Sequence, residues 1–224
     1  MSHASHQELE EIVKNVRFIN KSLTCAIGIM VDTQGPEIRT AKNSEVLELV
    51  KGEQIILSSK KIKDMKKSLQ IDNLKYVKGI KKNGRISLDN GSIDLKIIRA
   101  SKEKIYCDVL DNGRISGRKH VNFPGATISL PTITDKDKRD LKFAASLGVD
   151  FVALSFCRTK NDINDLKKTL KSFKKEIELF VKVEDQQGLS NLEDIVSSSD
   201  GIMVARGDLG IETDITNLPY TQRK

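Results

Sequence analysis

Aromatic side chains make up only 4% of the 224 residues, and tryptophan is absent. Single-stranded nucleic acid is held largely by bases stacking on aromatic rings. The scarcity therefore argues against that class of binder, and no nucleic-acid recognition motif stands in the sequence. Long apolar runs are missing too; none approaches the roughly 20 residues a membrane-crossing helix needs. The opening Met1-Ser2-His3-Ala4-Ser5 leads straight into charged residues, without the apolar stretch of a secretory signal. Cysteine is limited to Cys25, Cys107 and Cys157, odd in number and far apart, with no CxxC pair. That argues against disulfides or a zinc site and for a reducing compartment, the cytoplasm by default. Each thiol is expected to act as a small buried hydrophobe.

What is present describes a folded chain. The hydrophobic fraction of 38% and charged fraction of 31% can fill one large domain or two small ones. The net charge of +7 comes from lysines scattered along the chain. They read as a solvated surface that also attracts small anions.

The pattern divides the chain in three. Residues 1–40 open with a helix: Ser5 and Glu8 form a capping-box pair, and Leu9, Ile12, Val13, Val16 and Ile19 recur at helical spacing. The continuous apolar run Cys25–Val31 then reads as a strand buried on both faces. Residues 41–128 alternate short β-like runs with turn signals. The runs are Glu45–Val50, Gln54–Leu57, Arg85–Leu88, Ser92–Ile98 and Lys104–Val109, and the turns include Asn83-Gly84 and Asp89-Asn90-Gly91. An inserted all-β domain is expected there. Residues 129–224 change to alternating helices and strands. Helices are expected from Thr134 to Leu147, over Asn161–Phe173 and over Gly188–Ser197, and strands over Asp150–Phe156, Glu178–Glu184 and Gly201–Ala205. That order predicts a parallel sheet. With the first strand it makes four strands, where a closed (β/α) barrel needs about eight. The abrupt ends read as those of a piece of a longer protein.

Three places carry candidate chemistry. In Leu179-Phe180-Val181-Lys182-Val183-Glu184, alternation puts Leu179, Val181 and Val183 on one face and Lys182 and Glu184 on the other. Those charges lie near the strand's C-terminal end, where barrel active sites are built; a structural ion pair is the other reading. Met203-Val204-Ala205-Arg206-Gly207-Asp208-Leu209-Gly210 reads as a buried strand delivering a loop. Asp208 there could join Glu184 on Mg²⁺, which takes one or two protein carboxylates, or could simply cap a turn. In Asp32-Thr33-Gln34-Gly35-Pro36-Glu37-Ile38-Arg39-Thr40, Asp32 and Thr33 offer hard oxygens and Arg39 a planar fork for phosphate. A turn leading into a β-strand reads equally well.

Taken together, the three elements resemble the pyruvate kinase family. Asp32–Thr40 is similar to its signature after the third barrel strand. Val181-Lys182-Val183-Glu184-Asp185-Gln186-Gln187-Gly188 resembles the fifth-strand segment, and Asp200–Gly210 the sixth strand and loop almost letter for letter. Ser2-His3 resembles the end of the Asn-Phe-Ser-His motif after the second strand. Val121-Asn122-Phe123-Pro124-Gly125 with Leu130-Pro131 resembles the return from the lid, and Phe151–Phe156 the fourth strand. The resemblance covers the whole chain in order.

It implies a partial (β/α)8 TIM barrel, about strands 3 to 6, interrupted by an all-β lid. The implied activity is phosphoryl transfer from phosphoenolpyruvate to ADP, giving pyruvate and ATP in glycolysis. By the same resemblance Glu184 and Asp208 hold Mg²⁺ or Mn²⁺, and Ser2, Asp32 and Thr33 hold K⁺, on which the presence of Glu37 implies dependence. Lys182 faces the phosphoryl group and the developing enolate. Ala205, Arg206, Gly207 and Asp208 lie around the substrate, and Ser2, His3, Arg39 and Lys119 serve the nucleotide. The implied parent is a homotetramer, with no nucleic-acid or membrane partner.

Departures from the family pattern fall mostly near the lid. Gln34 stands where Lys is frequent, Asn90 where Asp is usual, His120 where Gly precedes the Val-Asn segment, and Asp185-Gln186 where Asn-Glu is usual. Because barrel strands are missing, the 224 residues are expected to be inactive alone. The competing readings are a magnesium-enolate aldolase or lyase, and a lid-bearing module that binds without turnover.

Overall fold

The computed structural model describes residues 1, 4–42, 44–62, 67–101, 103–213 and 215–223. In chain order the elements begin with α1 (His6–Asn20), β1 (Met30–Asp32), β2 (Arg39–Thr40), β3 (Leu47–Leu49), β4 (Gln54–Ser58) and β5 (Ser68–Asp72). Then come β6 (Val77–Lys78), β7 (Arg85–Leu88), β8 (Ile93–Ala100), β9 (Lys104–Val109), β10 (Gly113–Ile115), β11 (Val121–Asn122) and β12 (Thr127–Ile128). The rest are α2 (Asp135–Ser146), β13 (Phe151–Leu154), α3 (Lys160–Lys171), β14 (Glu178–Val183), α4 (Gln186–Ser190), α5 (Leu192–Val196), β15 (Gly201–Val204), α6 (Arg206–Glu212) and α7 (Leu218–Arg223). No helix among the described residues is long and apolar enough to cross a membrane.

The chain forms two compact units: Met1–Pro36 with Pro131–Ala205, and Glu37–Leu130 with Arg206–Lys224. The first is α/β. Its four strands are parallel in the order β1-β13-β14-β15. Leu179 and Val181 of β14 pack with Val152 and Leu154 of β13 and with Ile163, Leu166 and Leu170 of α3, whose spacing makes one apolar stripe. The helix starts follow from capping. Ser5 and Glu8 close a reciprocal box at α1, and Thr134 and Asp137 do so at α2. On α1 the apolar face is narrower than its spacing predicts. Leu9 and Val13 are buried, whereas Ile12 and Ile19 are exposed.

The stretch before β1 is a correction. No strand runs from Cys25; residues 24–29 lack ladder pairing, and Cys25 is exposed. Register explains this, because β13 begins at Phe151 opposite Met30, and before that only the Ile29 carbonyl is reached, by the Asp150 and Phe151 N–H groups at 3.0 and 3.1 Å. Side chains hold the segment instead. Asn20 bonds both the N–H and the carbonyl of Ile27 at 2.9 and 3.0 Å, and Asp150 accepts the Ile29 N–H at 2.6 Å.

The second unit is mostly antiparallel. Its seven-stranded sheet runs β11-β7-β8-β9-β4-β5-β2, with β4 and β5 the parallel pair. It is nearly closed: Arg39 bridges His120, and the Val121 N–H donates to the Ile38 carbonyl at 2.9 Å. Alternation fills the inside with Leu57, Ile71, Ile86, Leu88, Leu95 and Ile105, each at most 1% exposed. Asn83 and Asp89-Asn90-Gly91 take positive φ, the conformation tight hairpin turns require. The expected runs at Gln54, Arg85 and Lys104 start where β4, β7 and β9 start.

Two further expectations are revised. The Arg206–Gly210 stretch is the first part of a helix, α6, and not a loop. Buried Leu209 and Glu212, three residues apart, anchor it, with Asn122 donating to Glu212 at 3.2 Å. The strand before it is not buried, since Ile202 and Met203 of β15 are 40% and 38% exposed. The single helix expected over Gly188–Ser197 is two, α4 and α5, divided at Asn191, whose φ of −109° is not helical.

Candidate functional site

The charges of the α/β unit gather at the C-terminal ends of β1, β13 and β14. Lys182 lies on β14 between buried Val181 and Val183, so alternation turns it to the other face. Its ammonium sits 2.8 Å from Glu184 Oε1, 3.2 Å from Ser155 Oγ and 4.0 Å from Asp32 Oδ2. Glu184 is 1% exposed. A carboxylate so deeply buried is costly without a cation and hydrogen bonds. Lys182 supplies the first, and the Phe156 N–H donates to Oε2 at 2.6 Å.

That N–H is aimed by an unusual backbone. Phe156 has φ 52°, a left-handed conformation that a bulky residue rarely adopts. Just before it, Ser155 ties the strand ends together. Its N–H donates to Thr33 Oγ1 at 3.0 Å, and its hydroxyl donates to the Thr33 carbonyl at 2.6 Å. Gly35 fits the same corner. Its φ is +72°, and a Cβ there would come within 3.2 Å of the Ser155 carbonyl.

Asp32 and Thr33 thus stand at the end of β1 as the sequence suggests, and Asp32 Oδ1 also accepts the Met1 amino group at 2.7 Å. The Ala205 N–H extends the ladder to the Val183 carbonyl at 3.3 Å. Asp185, next to Glu184, caps α4 by accepting the Gly188 N–H at 2.7 Å. Burial pushes its carboxyl up against the lowering effect of that bond.

The β unit holds a second charged group. Glu37 accepts Arg39 Nη2 at 2.7 Å and Arg39 Nε on its other oxygen, and His120 Nε2 lies 2.7 Å from Oε1. Lys119 pairs with Asp89 at 2.9 Å. Arg206 and Gly207 are exposed at the start of α6, with Asp208 half-buried behind them. Ser2 and His3 lie outside the described residues. A cavity of about 1020 Å³ opens at the N-terminal ends of the parallel strands, between Gly28, Asp150, Glu178 and Asp200. It includes none of the catalytic, metal, substrate or nucleotide residues expected from sequence.

Sequence reasoning assigned no role to Ser155 or Phe156. The available signal was the polar Ser155 closing the apolar run Phe151–Leu154, on the strand that pairs with both β1 and β14. Among the described residues no three His, Cys, Asp or Glu side chains gather as a metal site. Asp32 and Glu184 instead share the Lys182 ammonium, at 4.0 and 2.8 Å.

A four-stranded parallel sheet with a Lys-carboxylate cluster at its strand ends, interrupted by a β unit, defines an α/β chain. The family model for the pyruvate kinase barrel domain matches residues 1–224. A protein named pyruvate kinase from Staphylococcus epidermidis is 36% identical over 225 residues, covering 99% of this chain. One of the same name from Staphylococcus aureus strain MRSA252 shares the same identity and coverage. The chain belongs to the pyruvate kinase family, and spans 38% of the length of these relatives.

Proposed function

We propose that this chain carries part of a site that moves the phosphoryl group of phosphoenolpyruvate to ADP, releasing pyruvate. The observation that carries the reading is the buried Lys182–Glu184 pair at the strand ends, in a chain of this family. Phosphoryl transfer needs little covalent help; positioning and charge neutralisation dominate. Lys182 would place a cation beside the phosphoryl group and then beside the enolate oxygen. The Phe156 N–H and Ser155 keep Glu184 and Lys182 in place. Glu184 and Asp208 would hold Mg²⁺ or Mn²⁺, which supplies charge neutralisation when bound. Ser2, Asp32 and Thr33 would hold K⁺, with Glu37 as the mark of K⁺ dependence. Backbone groups of Ala205, Arg206 and Gly207 would take the substrate carboxylate. Ser2, His3, Arg39 and Lys119 would serve ADP.

In this reading the parallel sheet is four consecutive strands of a (β/α)8 barrel, about strands 3 to 6. Residues 1–40 and 129–224 belong to that barrel, and residues 41–128 are an inserted lid that excludes water from the nucleotide. The assembled enzyme would be a cytoplasmic homotetramer.

The test replaces the matching segment of the Staphylococcus epidermidis relative with this chain. It follows pyruvate release with phosphoenolpyruvate, ADP, Mg²⁺ and K⁺. Turnover is expected, falling about 10²- to 10³-fold on Lys182→Met, the scale of losing one preorganised charge-stabilising group. A folded chimera that binds oxalate with Mg²⁺ yet releases no pyruvate would sink the kinase reading, and pyruvate release independent of ADP would favour a lyase. The 224 residues assayed alone are expected to be inactive, because the relatives' remaining length supplies the other strands.

A further inference from the structure

Glu37 does two jobs with one oxygen. Its Oε1 accepts Arg39 Nη2 and lies within hydrogen-bond distance of His120 Nε2, both at 2.7 Å. Glu37 and His120 are largely buried, with side chains 12% and 16% exposed, while Arg39 is 27% exposed and so keeps access to solvent. The backbone makes this meeting firm. Arg39 and His120 face each other across an antiparallel bridge, and Thr40 and Lys119 exchange bonds on either side. The Thr40 N–H donates to the Lys119 carbonyl at 2.8 Å, and the Lys119 N–H donates to Thr40 Oγ1 at 2.8 Å. The Asp89 N–H, from the turn after β7, donates to the His120 carbonyl at 2.9 Å.

We infer that His120 is a positioning residue for Arg39, acting through their shared partner Glu37 to set how firmly the guanidinium is held away from a nucleotide phosphate. This rests on the nucleotide reading of Arg39 given above. Charge arithmetic gives the direction. With a neutral imidazole, Glu37 (−1) and Arg39 (+1) sum to zero. With a charged imidazole the same three groups sum to +1, and the Glu37 carboxylate is divided between two cations. Its hold on Arg39 weakens as the local charge turns attractive to a polyphosphate. Arg39 Nη1 also donates to the Arg118 carbonyl, a neutral acceptor that does not change with the imidazole's charge. Lys119 and Asp89 are paired with each other at 2.9 Å, and Asp72, opposite Arg39 on β5, is exposed to solvent. A glycine at position 120 could do none of this.

The experiment measures ADP binding by calorimetry from about pH 5.5 to pH 8, where an ordinary histidine changes charge, on the chimera in which this chain replaces the matching segment of the Staphylococcus epidermidis relative. Wild type is compared with His120→Gln, which keeps a neutral donor for Glu37, and with His120→Gly. ADP titrates in this range as well, so the readout is the difference between wild type and His120→Gln. Wild type is expected to lose about fivefold more affinity than His120→Gln as pH rises, the usual scale of a single coupling. His120→Gly should bind more weakly than His120→Gln and share its flat difference profile. Identical pH profiles for wild type and His120→Gln would overturn the inference while leaving the nucleotide reading intact. Absence of ADP binding by wild type would overturn both. If stability changes but the binding profile does not, His120 is structural only and the inference falls.

Discussion

The two units keep their charges in different ways. In the α/β unit Lys182 and Glu184 come from one buried strand and its end, and Glu184 is sealed from solvent at 1% exposure. In the β unit the Lys119–Asp89 pair sits on turns and partly in water, with side chains 40% and 28% exposed. A buried pair leaves an uncompensated charge when broken, whereas a wet pair is readily replaced by water. Breaking the Lys182–Glu184 pair should therefore cost stability, and breaking Lys119–Asp89 little.

Core truncation should produce the largest effects, and in both units. Leu57→Ala in the β unit and Leu154→Ala in the α/β unit each remove a fully buried side chain, at an expected cost of about 2–5 kcal/mol. Urea unfolding can follow the units separately. Tyr76, Tyr106 and Tyr220 all belong to the β unit, so tyrosine fluorescence reports on it, while the helical circular dichroism comes mainly from α1–α5. Equal movement of both signals after either substitution would show that the units unfold as one.

Next, Glu184→Ala should destabilise by about 3 kcal/mol by stranding Lys182, against under about 1 kcal/mol for Lys119→Ala. Similar losses from the two would erase the distinction between buried and wet charges.

Thr134→Ala removes one half of the α2 capping box and should cost about 1 kcal/mol, read as a shift in the helical transition alone.

The smallest effect is a pH effect, again in the α/β unit. Burial alone would push the Asp140 carboxyl up, but hydrogen bonds from Lys136 and His6 outweigh it and hold it below the usual range. Asp150 behaves alike: burial is outweighed by Arg17 and the Ile29 N–H. A carboxyl lowered on folding stabilises the folded state fully above its unfolded pKa, about 4, and progressively less as pH falls through its folded value. Acid should therefore weaken the helical signal below about pH 4, and Asp140→Asn should flatten that limb. An acid limb unchanged in Asp140→Asn would remove this carboxyl from the account.

How much of this was legible follows from what is local. Capping boxes need residues three apart, so the starts of α1 and α2 could be read directly. Strands bounded by Asn-Gly-type turns could be read as well, as at Arg85–Leu88 and Lys104–Val109. Period-two alternation put Lys182 and Glu184 on one side before any coordinates. Long-range geometry could not be read. Short strands such as β2, β11 and β12 carry no periodicity, and the parallel pairing of β4 with β5 leaves no local mark. The exposure of Cys25 depended on where β13 starts, and the left-handed Phe156 on a corner shared with Thr33 and Gly35. Helix α6 was hidden because Arg206–Gly210, with two glycines, looks like a loop until Leu209 and Glu212 find partners.

The three cysteines, unremarkable for packing, amount to a set of chemical clocks. Cys107 lies in the β unit and Cys157 in the α/β unit, both about 1% exposed or less, and burial pushes each thiol up to about 12. Thiolate is the reactive form, so neither is modified until its surroundings open, while exposed Cys25 reacts at once. Reagent uptake in native buffer would then come in three phases, and the two slow ones would time the separate opening of each half of the molecule.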